Sequence, residues 1–208
     1  MAKEKHQFCF YNECLDKSSF LLSSFLLWRH DIDMSLSNAV KFAQIEYEEN
    51  VRSTYFIWLH SPYYHYWKKD NAKLILEILS KGHKLGLHFD PWFYDVFNTR
   101  DIAHEAYFLG RAFQTNIEVF SFHNPTKELI ENNNSLLVWS LINTYSDFFY
   151  NKCQYISDSN GVWNSNLEEA LNTSRLQVLT HPVWWSDTPL TPEEKRKGAL
   201  TCKDKFTA

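Results

Sequence analysis

The chain has 208 residues, of which 44% are hydrophobic and 22% charged, and its formal net charge is −4. This composition is typical of a globular protein, and the length suits one domain, 1–208, with its motifs between about 25 and 190. The sequence has no long run of lysine or arginine and no apolar stretch of roughly 18 residues, so neither a nucleic-acid partner nor a membrane helix is expected. Aromatic residues make up 17% of the chain, and such rings suit a sugar-binding groove.

Short apolar runs alternate with longer amphipathic segments. The first run, Phe25–Trp28, predicts a strand approached through an apolar segment from Ser18, and no small-residue cleavage site marks that segment as a signal peptide. Residue periodicity then predicts strands at 53–59, 85–89, 118–122, 153–157 and 176–180, with helices at 36–49, 71–80, 101–114 and 167–172. Asp101 is a predicted N-cap, 135–151 is expected to hold a helix and an irregular loop, and a last helix begins at Pro192. Strands separated by helices predict parallel pairing, and because no Gly-rich phosphate loop follows the first strand, a closed or nearly closed barrel is favoured.

Ionisable side chains collect where the predicted strands end. The first strand runs into Asp31 and Asp33, and five of the six strand ends carry a histidine: His30, His60, His88, His123 and His181. Barrel enzymes place their chemistry at the carboxyl ends of their strands. The sequence therefore predicts an active site at this rim.

The pair Asp31 and Asp33 indicates a metal site. On a strand, residues two apart point the same way, and neighbouring carboxylates repel unless a metal offsets their charge or one pKa is raised. Histidines on the same rim would add nitrogen ligands suited to zinc or a similar ion. Taken singly, Asp31 is better explained as a turn cap and each histidine as a structural rim residue, so only the combination predicts the site.

Five segments, in order, resemble the motifs of the NodB-type polysaccharide deacetylases, which are carbohydrate esterase 4-like. The segment Arg29–Asp33 (RHDID) resembles the first motif, and Gly82–His88 (GHKLGLH) resembles the second. Segments 121–125 (SFHNP), 155–159 (YISDS) and 178–182 (VLTHP) stand where the third, fourth and last motifs occur. The resemblance spans residues 29–182, most of the chain.

This resemblance implies a distorted (β/α) barrel and metal-dependent removal of an N-acetyl group from a sugar or glycan precursor in surface-polysaccharide biosynthesis. It implies Asp31 as general base and His181 as general acid, with Asp33 and His88 as ligands of a divalent ion. Zinc is the first choice of metal, with Co²⁺, Ni²⁺ or Fe²⁺ as alternatives. The partner would be an N-acetylated sugar, a sugar nucleotide or a lipid-linked glycan, and the missing secretion signal favours the cytoplasm. The residues expected to bind substrate are His60, Asp90, Trp92, Asn124, Asp158 and Trp184.

The chain departs from the family pattern at the third metal ligand. The second family histidine lies four residues after the first, where this chain has Trp92, and an indole N–H has no lone pair to offer. Catalytic zinc normally has three protein ligands, which leaves His123, Asp90 and His60 as candidates. Asp90 precedes Pro91, where the chain turns away, so we predict His123, which stands in the third motif in place of a clear arginine.

Two other functions are also compatible with the sequence. Relatives on this fold hydrolyse cyclic imides or ureides, some without the usual metal ligands, and Trp92 favours that alternative. The other is a carbohydrate-binding barrel without catalysis. Retention of Asp31 and His181 argues against it, because binding alone needs no paired acid and base.

Overall fold

The computed structural model describes residues 2–15, 24–185 and 190–203. Its strands are β1 (Gln7–Phe8), β2 (Phe25–Ile32), β3 (Thr54–Ile57), β4 (Lys84–Phe89), β5 (Val119–Phe122), β6 (Leu137–Val138), β7 (Leu141–Asn143), β8 (Gln154–Ser157) and β9 (Arg175–Thr180). Its α-helices are α1 (Ala2–Lys5), α2 (Leu36–Glu48), α3 (Lys69–Ser80), α4 (Thr99–Phe113), α5 (Lys127–Asn132), α6 (Leu167–Ala170) and α7 (Pro192–Lys203). Short 3₁₀ turns cover Pro91–Phe93, Ser159–Gly161 and Pro182–Trp184, and a π-helical turn covers Asp147–Asn151.

The nine strands form one sheet in the order β6-β7-β5-β4-β3-β2-β9-β8, and β1 pairs with the start of β2. Every pairing is parallel except that of β6 with β7. Inner side chains of β2, β3, β5 and β7 meet in one apolar cluster, which shows that the sheet is curled. Among the described residues no ladder joins β8 to the β6–β7 edge. The predicted distorted (β/α) barrel is therefore confirmed.

The inner and outer faces of β2 carry different side chains. Leu27 packs inside the barrel with Phe56 of β3, whereas Leu26 packs outside with Val178 of β9. Because side chains alternate along a strand, Arg29 lies on the inner face with Leu27. The inner face thus changes from apolar to ionisable toward the carboxyl end of the strand.

Helices α2, α3 and α4 cover the outer face of the sheet with a large apolar cluster that includes Ile57, Leu87 and Phe120. A buried polar group crosses this layer, since His30 Nε2 lies 2.6 Å from Glu46 Oε1 and the Tyr55 hydroxyl donates to Glu46 Oε2 at 2.7 Å. Burial raises the pKa of Glu46, but the His30 imidazole and the hydrogen bonds lower this pKa by more than burial raises it. The pKa of Glu46 is therefore below its ordinary value. The His30 side chain therefore belongs to the outer layer, away from the barrel interior.

The start of helix α4 and the segment 135–151 differ from the prediction. Helix α4 begins two residues earlier than expected, because Asn98 is the N-cap and Asp101 accepts the Asn98 N–H to complete a capping box. The segment 135–151 forms the antiparallel hairpin of β6 and β7 and a π-helical turn instead of an ordinary helix. The hairpin turn places Trp139 and Ser140 at positive φ, a conformation that residue propensity alone does not predict.

The terminal segments carry two further predictions. A helix does begin at Pro192, as predicted. The approach segment from Ser18 lies largely outside the described residues, which resume at residue 24. Within the described chain, no helix combines the length and the apolar character that a membrane crossing requires.

Gly86, in the middle of β4, leaves room for the Phe56 ring inside the barrel, and an added Cβ would lie 2.6 Å from that ring. Gly86→Ala is expected to destabilise the protein by about 1–3 kcal/mol, because the packed ring must shift. Gly198→Ala is the matched control, since an added Cβ there meets nothing within 4 Å. Chemical denaturation of both variants measures the difference, and equal stabilities would contradict this packing.

Candidate active site

The carboxyl ends of four parallel strands bring the predicted site residues together. Asp31 lies in β2 and Asp33 just after it, His88 lies in β4, and His123 and His181 directly follow β5 and β9. Because these strands run parallel, their carboxyl ends share one rim. The four groups beside Asp33 are buried, whereas Asp33 itself is half-buried.

Three donor atoms at this rim are placed as the ligands of one small cation. The Asp33 Oδ1 atom lies 3.2 Å from His88 Nε2 and 3.5 Å from His123 Nδ1, and the two nitrogens lie 3.1 Å apart. Two ligands of tetrahedral zinc, at about 2.0–2.1 Å from the ion, are about 3.3 Å apart. In the described part of the chain, no second group of three such side chains is this closely spaced. The donor set therefore fits a divalent metal ion.

The side chains around these donors hold them in place. His88 Nδ1 lies 2.8 Å from Ser121 Oγ, which leaves Nε2 for a metal, and the Trp58 ring stacks on the His123 ring at 3.8 Å. His123 Nε2 lies 2.9 Å from the amide group of Asn124. With Nδ1 as the ligand atom, Nε2 carries a proton, and rotation of the Asn124 amide presents its oxygen to accept it. Such outer partners orient metal-binding histidines.

Asp33 is ionised, as a metal ligand must be. Burial raises the pKa of this carboxyl, but the imidazoles of His123 and His88 beside it outweigh burial and hold the pKa below its usual range. The negative charge sits against the two nitrogens that complete the donor set.

Asp31 lies beside the donor set but is held by a different partner. Its Oδ2 accepts a hydrogen bond from Arg29 Nη2 at 2.7 Å, and both side chains are almost fully buried. Burial raises the pKa of Asp31, but Arg29, and then His88, lower it below its ordinary value. Its Oδ1 is buried without a hydrogen-bond partner. An ionised carboxylate with one free oxygen next to a metal site can accept a proton from water.

His181 lies on the other side of Asp33 and is fixed by Asp158. Its Nδ1 lies 2.7 Å from Asp158 Oδ1, and its Nε2 lies 3.9 Å from Asp33 Oδ2. Burial lowers the pKa of His181, but the hydrogen bond with Asp158 and the nearby Asp33 and Asp31 carboxylates raise it above its ordinary value. The imidazole thus presents Nε2 to the donor set and favours the protonated form.

Asp158, predicted from sequence to bind substrate, lies behind His181 instead. It is 2% exposed, and its oxygens accept hydrogen bonds from the His181 N–H and from Trp185 Nε1. A carboxylate with its oxygens occupied in this way orients the imidazole and has no free face for a sugar. The expectation missed this because the contact joins residues 23 positions apart.

The predicted contacts Asp90, Trp92 and Asn124 form one wall. Asp90 caps the turn that follows β4 by accepting the Trp92 N–H at 3.0 Å, and it is not in the donor set. The Trp92 indole N–H donates to the Asn124 carbonyl at 3.2 Å, while the ring is 59% exposed. Trp92 therefore offers an exposed ring face at the position of the missing family histidine.

The last two predicted contacts lie on different sides. His60 Nε2 is bound to Glu105 of α4 at 2.9 Å, so it is not a metal ligand in this arrangement. Trp184 is half-buried with the Arg196 guanidinium over its ring at 5.8 Å, so it packs under α7 rather than facing the donor set. Its neighbour Trp185, which sequence reasoning did not single out, contacts Asp158.

One missed residue had a usable signal. Arg29 stands two residues before Asp31, and the period of 2 in a strand places both on one face. No sequence signal predicted the contributions of Trp58, Ser121 and Trp185. Their ring stacking and hydrogen bonds join distant segments and follow from the curl of the sheet.

His123→Ala is expected to weaken metal binding by at least about 10-fold, because a catalytic site of two protein ligands is incomplete. Equilibrium dialysis with zinc, followed by elemental analysis, measures the affinity. Asp90→Ala is the matched control, and it should retain the metal. Loss of metal from Asp90→Ala with retention in His123→Ala would require a different third ligand.

No protein-family model matches the chain, and no curated protein matches it either. Solved structures do. A CE4 esterase from Streptococcus mutans matches with a TM-score of 0.54 and 12% identity, over 98% of this chain and 87% of that one. The Xyl-CE4 domain of a multidomain xylanase from the hindgut metagenome of Trinervitermes trinervoides matches with a TM-score of 0.50 and 11% identity, over 88% of this chain and 82% of that one.

A third match is a mutant, with restored enzymatic activity, of a CE4 family pseudoenzyme from Bacillus anthracis, with a TM-score of 0.47 and 12% identity. It covers 88% of this chain, which spans 63% of that structure. The curled parallel sheet agrees with the matches at TM-scores of 0.54 and 0.50: the chain has the fold of the CE4 carbohydrate esterases, the polysaccharide-deacetylase (NodB) fold.

Proposed function

We propose that the protein is a metal-dependent hydrolase that removes the N-acetyl group from an acetylated sugar. The observation that carries this proposal is the order of groups along the rim, with Asp31 on one side of the Asp33–His88–His123 donor set and His181 on the other. Amide hydrolysis needs an activated water, a stabilised oxyanion and a protonated leaving nitrogen. These groups match those three needs.

The three donors would hold the ion, and a divalent ion there supplies a Lewis acid that polarises the amide carbonyl and acidifies water. Asp31, anchored through Oδ2 by Arg29, takes the water proton on its free Oδ1 as the new C–O bond forms. His181 Nε2 then gives its proton to the amide nitrogen as the C–N bond breaks. The products are acetate and a free amino sugar, and the proton held by Asp31 returns to solvent or to His181.

Asp158 and Arg29 serve these two steps through charge and orientation. Asp158 fixes the His181 tautomer and favours the imidazolium that donates the proton. Arg29 is itself held by Thr144 Oγ1 at 2.7 Å and by the Tyr145 ring, with its guanidinium carbon 5.1 Å from the ring centroid. The Asp31 carboxylate is thus held in place by the buried Arg29 guanidinium.

The finer parts of this function stay predictions. A sugar destined for a surface polysaccharide and zinc as the metal rest on the sequence resemblance, and a reaction in the cytoplasm is proposed with them. The exposed Trp92 ring at the rim supports a sugar substrate, because aromatic faces suit amphipathic ligands.

Acetate release from an N-acetylglucosamine oligosaccharide tests the proposal. The protein treated with EDTA should release no acetate, and added zinc or cobalt should restore release. Undiminished acetate release after EDTA would contradict the metal dependence. Hydrolysis of a cyclic imide or ureide by the EDTA-treated protein, without acetate release from the sugar, would favour the metal-independent amidohydrolase instead. Oligosaccharide binding without acetate release in the metal-loaded protein would favour a carbohydrate-binding barrel.

A further inference from the structure

The backbone of His123 is fixed, but the plane of its imidazole is not fixed by the backbone. His123 stands one residue beyond β5, its N–H donates to the Phe89 carbonyl at 2.7 Å, and the chain turns at Asn124, whose φ is 43°. The χ2 torsion of a histidine is broad, so a fixed backbone leaves the ring free to turn. The Asn124 amide at Nε2 belongs to an exposed side chain, which water can replace. A buried group is needed to keep Nδ1 directed at the other two donors.

Trp58 is placed to be that group. Strand β3 pairs with β2 and β4 up to its last residue, so the next residue, Trp58, stands level with Asp33 on one side and His88 on the other. Phe56, two residues earlier, packs inside the barrel, and the alternation of side chains puts Trp58 on the same face. Trp58 is 8% exposed, and its ring lies on the His123 ring with centroids 3.8 Å apart and planes 22° apart. It therefore borders the strands of two donors and contacts the third.

Tyr64 fixes the backbone of Trp58 against the first strand of the site. The Trp58 N–H donates to the Tyr64 hydroxyl at 3.1 Å, and that hydroxyl donates to the Ile32 carbonyl at 2.7 Å. Burial raises the pKa of Tyr64, so the hydroxyl keeps the proton that it donates. Ile32 is the residue before Asp33. The position of the Trp58 ring is thus tied to the strand that carries the carboxylate donor.

The indole N–H of Trp58 is not what this position provides. Its Nε1 is buried and has no hydrogen-bond partner among the residues that the structure describes. A buried donor without a partner costs stability, and phenylalanine would avoid that cost. What tryptophan supplies here is a large flat face that covers the His123 ring.

We propose that Trp58 is a positioning residue for the metal, because its ring keeps the His123 imidazole in the plane that brings Nδ1 to 3.5 Å from Asp33 Oδ1 and 3.1 Å from His88 Nε2. This inference rests on the proposed function for the metal ion itself. Trp58 offers the ion no ligand atom, since an indole N–H has no lone pair, so it acts through His123. Loss of the flat ring should free the imidazole to turn and leave two fixed protein ligands.

Zinc titration of the full-length protein, stripped with EDTA and dialysed, tests the proposal. Trp58→Leu keeps the position apolar but removes the ring, and zinc affinity should fall by at least about 10-fold, as for other side chains that orient a metal ligand. Trp58→Phe keeps a ring that can stack and should retain most of the affinity. Phe149→Leu is the matched control, since it also removes a fully buried ring from the barrel interior, outside the donor set, and should bind zinc normally.

Two spectroscopic measurements separate positioning from a general loss of stability. The visible spectrum of bound Co²⁺ reports its ligands, so Trp58→Leu should change it in the same direction as His123→Ala, whereas Trp58→Phe and Phe149→Leu should not. In NMR spectra of the unmodified, metal-free protein, the carbon-bound ring protons of His123 should be shifted upfield by the ring current of the stacked indole. The second measurement does not depend on any variant folding.

Normal zinc affinity in Trp58→Leu would overturn the proposal, as would equal losses in Trp58→Phe and Trp58→Leu. An equal loss in Phe149→Leu, or the absence of the upfield shift, would also overturn it. Acetate release is measured separately. The inference fails alone if acetate release depends on zinc but Trp58→Leu binds zinc normally, and the proposed function fails alone if zinc binding depends on Trp58 but no acetate is released.

Discussion

Replacing Asp31 by asparagine is expected to lower acetate release by about 10²-fold or more, because an amide cannot take the proton from the attacking water. The asparagine side chain has the same shape as aspartate, and its amide oxygen can still accept the hydrogen bond from Arg29 Nη2. Asp31 is also outside the donor set. Metal content should therefore stay near that of the unmodified protein, and steady-state kinetics on the metal-loaded variant measures the loss.

Asp90→Asn is the control for this change. Asp90 is a buried carboxylate on the same rim, and its contact is the Trp92 N–H, which an asparagine also caps. Its turnover should stay within a few-fold of normal. If Asp31→Asn turned over as fast as Asp90→Asn, Asp31 would have no part in proton transfer.

His181→Ala is expected to affect amides far more than activated esters. An amine must be protonated to leave, whereas a phenolate leaves without a proton, so the loss of His181 Nε2 should cost amide hydrolysis about 10²-fold and aryl-acetate hydrolysis much less. Parallel assays of acetate release from an N-acetylated oligosaccharide and from an aryl acetate give the ratio. The metal content of the variant should not change, because His181 is outside the donor set.

Asp158→Asn separates orientation from proton donation. The asparagine can still contact Trp185 Nε1 but no longer favours a charged imidazole, so amide activity should fall less than in His181→Ala. Equal losses for amide and ester in His181→Ala would point to oxyanion stabilisation or a structural role, and the assignment of His181 as the acid would be withdrawn.

The parallel barrel followed from local sequence patterns, since apolar runs that alternate with amphipathic helices leave few arrangements. The grouping of Asp31, Asp33, His88 and His181 followed too, because residues at the ends of parallel strands must share a rim. The prediction that His123 lies with Asp33 and His88 rested on the same reasoning, and the measured spacing of the three donor atoms agrees with it.

Contacts between distant segments could not be predicted this way. The orientation of Asp158 toward His181 and the capture of His60 by Glu105 join residues 23 and 45 positions apart. The hairpin of β6 and β7 depends on residues at positive φ, and the periodicity of apolar residues does not predict positive φ. The histidine-rich motifs were also ambiguous, since His83 faces outward, with Nδ1 3.0 Å from Ser53 Oγ and Nε2 3.0 Å from the Ala43 carbonyl, although it stands in the same motif as His88.

The central claim is that Asp33, His88 and His123 hold one catalytic metal ion. Diffraction from zinc-loaded crystals at the zinc absorption edge tests it most directly. We expect an anomalous peak within coordination distance, about 2.0–2.2 Å, of Asp33 Oδ1, His88 Nε2 and His123 Nδ1. A stoichiometrically bound zinc whose peak lies elsewhere, or that uses Asp90 or His60 in place of His123, would contradict it.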